Sequence, residues 1–239
     1  MQLLAPAKQK VWGKPTVIHL VMGGTAAGFY LLSCLLAIIG NGLSSLYKPL
    51  AFQPLAPVLV CVGLLALVTE VGRPERVLHI FRNICGSWMS VEILAATIFV
   101  FVTIVDWIVP HPILKCVATG AALALMISQA LIVHASKAIT AWNVPIVPFL
   151  FVTSGFAKGS GLLLLISTVN PSFAGTPLKI ALICILFDLV FWLLYLYFNH
   201  DLAFLGATKA LRRSGNLFRT FGVGNGLPMI LLLWFLWVK

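Results

Sequence analysis

Long apolar stretches alternate along the 239-residue chain with short segments that carry Pro, Gly and charged residues. Most of these stretches reach the length of about 20 residues that a helix needs to cross a bilayer. The pattern predicts seven transmembrane helices, over Pro15–Ile39, Pro54–Val71, Met89–Val109, Ile113–Ile139, Val147–Val169, Pro177–Phe198 and Phe221–Val238. The connections are short apart from Gly72–Trp88 and Asn199–Thr220.

The composition supports this interpretation, because 61% of the residues are apolar and 9% are charged, whereas about a quarter of a soluble domain is charged. A soluble globule of this size could not cover so much apolar surface. We therefore expect an all-α integral membrane protein, a bundle of about seven transmembrane helices. Since no repeat or low-complexity linker divides the chain, we expect a single domain over residues 1–239.

The charge balance indicates topology and not a nucleic-acid partner. The chain has 16 Lys and Arg against 6 Asp and Glu, and they lie between apolar stretches instead of forming a basic stripe. Seven spans would place 11 of the 16 basic residues on the face of the N-terminus. The positive-inside rule then predicts that the N-terminus of this multi-pass protein is cytoplasmic.

Several ionisable residues stand near the ends of predicted helices, where hairpin connectivity returns them to one face. His19 lies in the first turns of the first helix, Glu70 ends the second, Glu92 begins the third and His134 is near the end of the fourth. Ionisable groups in membrane helices often mark functional sites, although helix ends also carry them because the headgroup region is wet. Glu92 is the strongest candidate, since it lies inside the apolar run MSVEILAATIFVF.

Other features have simpler interpretations. Asp188 at mid-depth of the sixth helix is expected to neutralise Lys158 of the fifth. The segment Gly23–Gly28 has the spacing of small residues that favours close helix packing. The five cysteines are far apart, with no C-x-x-C pair, so we expect neither an iron–sulfur cluster nor a metal site in this chain.

Quinone chemistry suits this set of residues. Oxidation of a quinol releases two electrons and two protons, and it needs an apolar pocket, an imidazole that bonds an oxygen, and a carboxylate that accepts a proton. The chain has these groups but no sequence motif for a redox centre. The electrons would therefore leave through a partner protein.

A specific resemblance supports this hypothesis. The segment Val68–Glu92 reads VTEVGRPERVLHIFRNICGSWMSVE. It resembles the signature of the dimethyl sulfoxide reductase membrane-anchor family and of the related NrfD-type polysulfide reductase membrane subunits. In that signature, G-R-P-x-R is followed by S-W-x-S-x-E. The first span, HLVMGGTAAGFYLL, and the segment His134–Leu165 are similar to further parts of this family. Family members usually have eight or more spans and serve exported enzymes, whereas the charge count here places the signature loop in the cytoplasm.

The resemblance implies a membrane anchor in a prokaryotic inner membrane, as in anaerobic respiration. The anchor would exchange electrons between menaquinone or ubiquinone and a subunit with [4Fe–4S] clusters. That subunit would serve a molybdopterin-containing catalytic subunit. Glu92 matches the acidic residue that follows S-W-x-S and would accept a proton at the quinol site. The same resemblance implies a cofactor-binding role for His19, Glu70, Arg73, Trp88, Ser90 and His134. It also implies that the partner docks on Arg73, Arg76 and Arg82.

Two alternatives remain open on the residues alone. A di-haem cytochrome b-type anchor would need axial histidines on facing helices, for which only His19 and His134 are candidates. An ion or solute carrier would use Asp188 and Lys158, but carriers tend to show internal repeats, and none is evident here.

Overall fold

The computed structural model describes residues 12–48, 50, 52–70, 86–169, 176–197 and 201–238. All regular structure in these residues is helical, which confirms the predicted all-α membrane bundle. The longer helices are α1 (Lys14–Asn41), α2 (Leu55–Val68), α3 (Trp88–Ile108), α4 (Pro112–Ala135), α5 (Val147–Val169) and α6 (Thr176–Tyr197). The remaining elements are a 3₁₀ helix (Gly42–Tyr47), α7 (Leu202–Ala207), α8 (Ser214–Leu217), a π-helix (Phe218–Gly226) and α9 (Leu227–Val238).

Six of the helical segments in the described residues are long and apolar enough to cross a membrane. They include α1, α3, α4, α5 and α6, together with the continuous segment Ser214–Trp237. The second predicted span is shorter than expected, because α2 has 14 residues and measures about 21 Å. A bilayer core is about 30 Å thick, so α2 is the short member of the bundle.

The centre of the bundle is α1, which packs against α2, α4 and α5. Glycines bring α1 and α5 into backbone contact, since a side chain at Gly28 would overlap the carbonyl of Gly155, and one at Gly159 would overlap the backbone of Phe29. This contact confirms the close packing that the spacing of Gly23–Gly28 predicted.

A buried ion pair joins α3 and α4 at the end of the bundle where their connection lies. Lys115 Nζ lies 2.9 and 2.7 Å from the two carboxylate oxygens of Asp106, and both side chains are almost completely buried. Gln53 donates to the same carboxylate at 2.8 Å, and the backbone N–H of His111 donates at 3.0 Å. The carboxylate is therefore well satisfied, as a buried charge must be.

The last span contains a π-helix that the apolar pattern did not predict. The π-helical segment Phe218–Gly226 leads directly into α9, with Pro228 in its first turn. Proline is tolerated within this continuous membrane span because neighbouring helices can satisfy the carbonyl group that it leaves without a donor. Leu232 of α9 packs with Leu178, Ala181 and Ile185 of α6.

Candidate functional site

His19 of α1 and Glu92 of α3 form a direct pair inside the bundle. His19 Nε2 lies 2.6 Å from Glu92 Oε1, and each residue is only 3% exposed. The sequence predicted both residues at the same end of the molecule, and the structure brings their side chains into contact.

Neighbouring helices fix the position of this pair. Gly63 of α2 packs closely against the backbone of His19, since a Cβ there would make a tight contact of 3.2 Å with the His19 carbonyl oxygen. Glu92 lies just beyond the first turn of α3.

Beside the pair is a buried amide that the sequence analysis did not single out. Gln129 of α4 fills the space above Gly23, which is one helical turn from His19, and a side chain at Gly23 would overlap the amide. Gln129 interrupts the apolar run LALMISQALIV. Its position in that run was the available signal, because an amide in a membrane helix needs a hydrogen-bond partner.

Three polar atoms around this site have no protein partner among the described residues: His19 Nδ1, Gln129 Nε2 and Gln129 Oε1. Buried polar atoms in proteins are nearly always hydrogen-bonded, since an unpaired one costs about 1–3 kcal/mol. The imidazole nitrogen and the amide can therefore bond the oxygen atoms of a polar ligand, and this donor and acceptor set fits the head of a quinone or quinol.

Glu70 lies just after α2 and bonds the start of α1. Its carboxylate accepts hydrogen bonds from the backbone N–H groups of Gly13, at 2.7 Å, and of Thr16, at 3.1 Å, and also from the Thr16 hydroxyl. These bonds satisfy N–H groups at the start of α1, which has no capping side chain of its own. The bond from Thr16 is the largest cause that lowers the pKa of Glu70. Both oxygens are thus engaged, and we leave Glu70 out of the site.

Among the described residues, the other candidates form no hydrogen bond with the pair. Ser90 is buried two residues before Glu92, while Trp88 is 46% exposed at the start of α3. His134 Nδ1 lies 3.3 Å from the carbonyl oxygen of Trp142, so it links the end of α4 to the following loop. That loop is also fixed by an edge-to-face contact between Trp142 and Trp12, with ring centroids 4.9 Å apart.

The three arginines of the signature loop, Arg73, Arg76 and Arg82, lie outside the described residues. In the part of the chain that the structure describes, no group of three or more His, Cys, Asp and Glu side chains is placed to hold a metal ion.

Fold and site together define a multi-pass helical membrane protein with a buried histidine–carboxylate pair at one end of its bundle. The family described as "Polysulphide reductase, NrfD" matches residues 3–239, which is nearly the whole chain. The chain therefore belongs to the NrfD family, whose members are membrane subunits of polysulfide and related reductases. Neither a curated protein nor a solved structure matches it.

Proposed function

We propose that this protein is the quinone-reactive membrane anchor of a multisubunit oxidoreductase. The observation that carries the proposal is the buried His19–Glu92 pair, at 2.6 Å, next to unpaired polar atoms of His19 and Gln129. Family membership supports the role of a membrane subunit in such a complex.

A bound quinol supplies two electrons and two protons when it is oxidised. His19 is suited to relay a proton, because its Nδ1 has no partner in the described residues and its Nε2 contacts Glu92. In this relay Nδ1 accepts a proton from the ligand hydroxyl, and Nε2 gives its own proton to Glu92 Oε1. Before the second proton follows, Glu92 releases the first one, and the imidazole ring flips so that its unprotonated nitrogen faces the ligand and its N–H faces Glu92. Gln129 Nε2 donates a hydrogen bond that orients the ligand.

The electrons pass to a partner, since the proposal gives this chain no redox centre. We assign that role to a subunit with [4Fe–4S] clusters, which serves a molybdopterin-containing catalytic subunit, and the quinone is menaquinone or ubiquinone. The partner docks at the end of the bundle that holds His19 and Glu92, because electron transfer must be short. Arg73, Arg76 and Arg82 pair there with its acidic groups. The positive-inside rule supports a cytoplasmic position for this face.

Replacement of Glu92 tests the proposed function. In the purified complex we expect Glu92→Gln to lower quinol-linked turnover by about 100-fold or more, the usual effect of removing a general base. Activity of the catalytic subunit with a soluble dye should be unchanged, because the dye bypasses the anchor.

Glu70→Gln is the matched control, since Glu70 is a carboxylate at the same end of the bundle that caps α1. It should retain quinol-linked turnover. Unchanged quinol turnover in Glu92→Gln would remove Glu92 from the mechanism. A reduced-minus-oxidised haem b band in the isolated chain would favour the cytochrome b-type anchor instead.

A further inference from the structure

A cavity lies between α5, α6 and the π-helical segment. Its volume is about 400 Å³, and none of the residues of the His19–Glu92 site lines it. Sites for small organic ligands typically have volumes of about 300–1,000 Å³ and mostly apolar walls with a few polar groups. This cavity fits that description, with Ala157, Ile185 and Trp192 on its walls. Its polar groups come from Ser154, Lys158, Asp188, Thr220 and Asn225.

The carboxylate of Asp188 is held in one orientation at the wall of this cavity. Ser154 Oγ donates to Asp188 Oδ1 at 2.5 Å, and Thr153 Oγ1 donates to the same oxygen at 3.3 Å. Asp188 is 6% exposed, and Asn225 of the π-helical segment lies beside it. Because an ionised carboxylate has about four acceptor positions, Asp188 can also accept a hydrogen bond from a ligand.

Lys158 on the same cavity lacks the direct ion pair that the sequence led us to expect. Its side chain is exposed, and within the described ranges the ion pairs are His19–Glu92 and Asp106–Lys115. Lys158 stands near the middle of α5. A cation at this depth is costly unless it faces a cavity or finds an acceptor, so the ammonium group is available to a ligand oxygen.

We propose that this cavity is a second binding site for a lipid-soluble quinone or quinol. Lys158 donates to a ring oxygen, Asp188 accepts from a ring hydroxyl, and Trp192 packs against the ring. The mid-helix depth favours this ligand class, because a quinone ring is neutral and enters the hydrocarbon region, whereas phospholipid headgroups stay at the interface. The ligand class rests on the proposed function, but the site binds the ligand without any redox step.

Photolabelling with an azido-quinone tests the proposal in the intact complex, reconstituted in lipid nanodiscs and mapped by peptide mass spectrometry. We expect label in two regions, one on α1 and α3 and one on α5, α6 and the π-helical segment. Lys158→Met and Asp188→Asn should each reduce labelling of the second region by about tenfold and leave the first region labelled. Lys179→Met is the matched control, since Lys179 is an exposed lysine of α6 outside the cavity, and it should change neither region.

The outcomes separate the two sites. Two results would overturn the proposal of a second site and leave the proposed function standing. One is label that is confined to α1 and α3. The other is labelling of the second region that both variants leave unchanged. Label confined to the second region would support the second site and count against quinone binding at His19 and Glu92. If either variant fails to assemble, competition in the wild-type complex decides: an unlabelled quinone should suppress the second label, and a long-chain alcohol without a ring should not. Persistence of the label under quinone competition would overturn the proposal.

Discussion

At the scale of one residue, Gln129 is a group whose proposed role in binding is expected to lower the free energy of unfolding. Its amide is buried, and neither polar atom has a partner in the described part of the chain. We expect Gln129→Met, which keeps the length of the side chain, to raise the free energy of unfolding by about 1–3 kcal/mol, because it removes an uncompensated desolvation cost. The same change should weaken quinone binding. Thermal unfolding and quinone titration of the complex measure the two effects, and a loss of stability with unchanged binding would make the amide a structural group.

Glu70 gives the α1–α2 end a dependence on pH. Hydrogen bonds, first of all from the Thr16 hydroxyl, hold the pKa of this carboxyl below its ordinary value. A carboxyl with a lowered pKa stabilises the folded state at neutral pH, and this contribution is lost as pH falls below about 4 through the folded-state pKa. We expect the hydrogen-exchange protection of the Gly13 and Thr16 amides to fall in that pH range. In Glu70→Gln protection should already be low at pH 7, and equal protection in the two proteins at pH 7 would contradict this role.

At the scale of elements, the Asp106–Lys115 pair is the main polar link between α3 and α4. Lys115→Met would leave the Asp106 carboxylate buried without a cation, so we expect a loss of about 3–5 kcal/mol in the free energy of unfolding. Combining Lys115→Met with Asp106→Asn should restore part of the loss, since no charge is then buried. Unfolding of the three variants in detergent measures this difference. A double variant as unstable as Lys115→Met would show that the pair contributes more than mutual neutralisation.

The helical elements were predictable wherever an apolar run was long and clearly bounded. The helix α5, for example, runs from Val147 to Val169 as the sequence predicted. The short length of α2 and the presence of the π-helix could not be predicted from the apolar pattern. For α2, the reason is that hydropathy shows whether a segment prefers lipid but not where the chain turns inside a hydrophobic stretch. For the π-helix, the reason is that it arises from local hydrogen bonding that follows no apolar period.

At the scale of the whole molecule, the site was predictable in place but not in detail. Hairpin connectivity returned His19 and Glu92 to one end of the bundle, but these residues are 73 positions apart. Whether their side chains meet depends on the rotation of α1 and α3 about their axes. Helices that are apolar all round carry little information about that rotation.

The central claim is that Glu92 takes up a proton when a quinol is oxidised beside His19. Time-resolved infrared difference spectroscopy of the intact complex tests it most directly, because it observes the protonation of a carboxylate as a new carboxylic acid C=O band. We expect quinol oxidation to produce such a band transiently, until Glu92 releases the proton. The band should shift when the glutamates carry an isotope label, and it should be absent in Glu92→Gln but retained in Glu70→Gln. A spectrum without a glutamate band, or a band that persists in Glu92→Gln, would contradict the account.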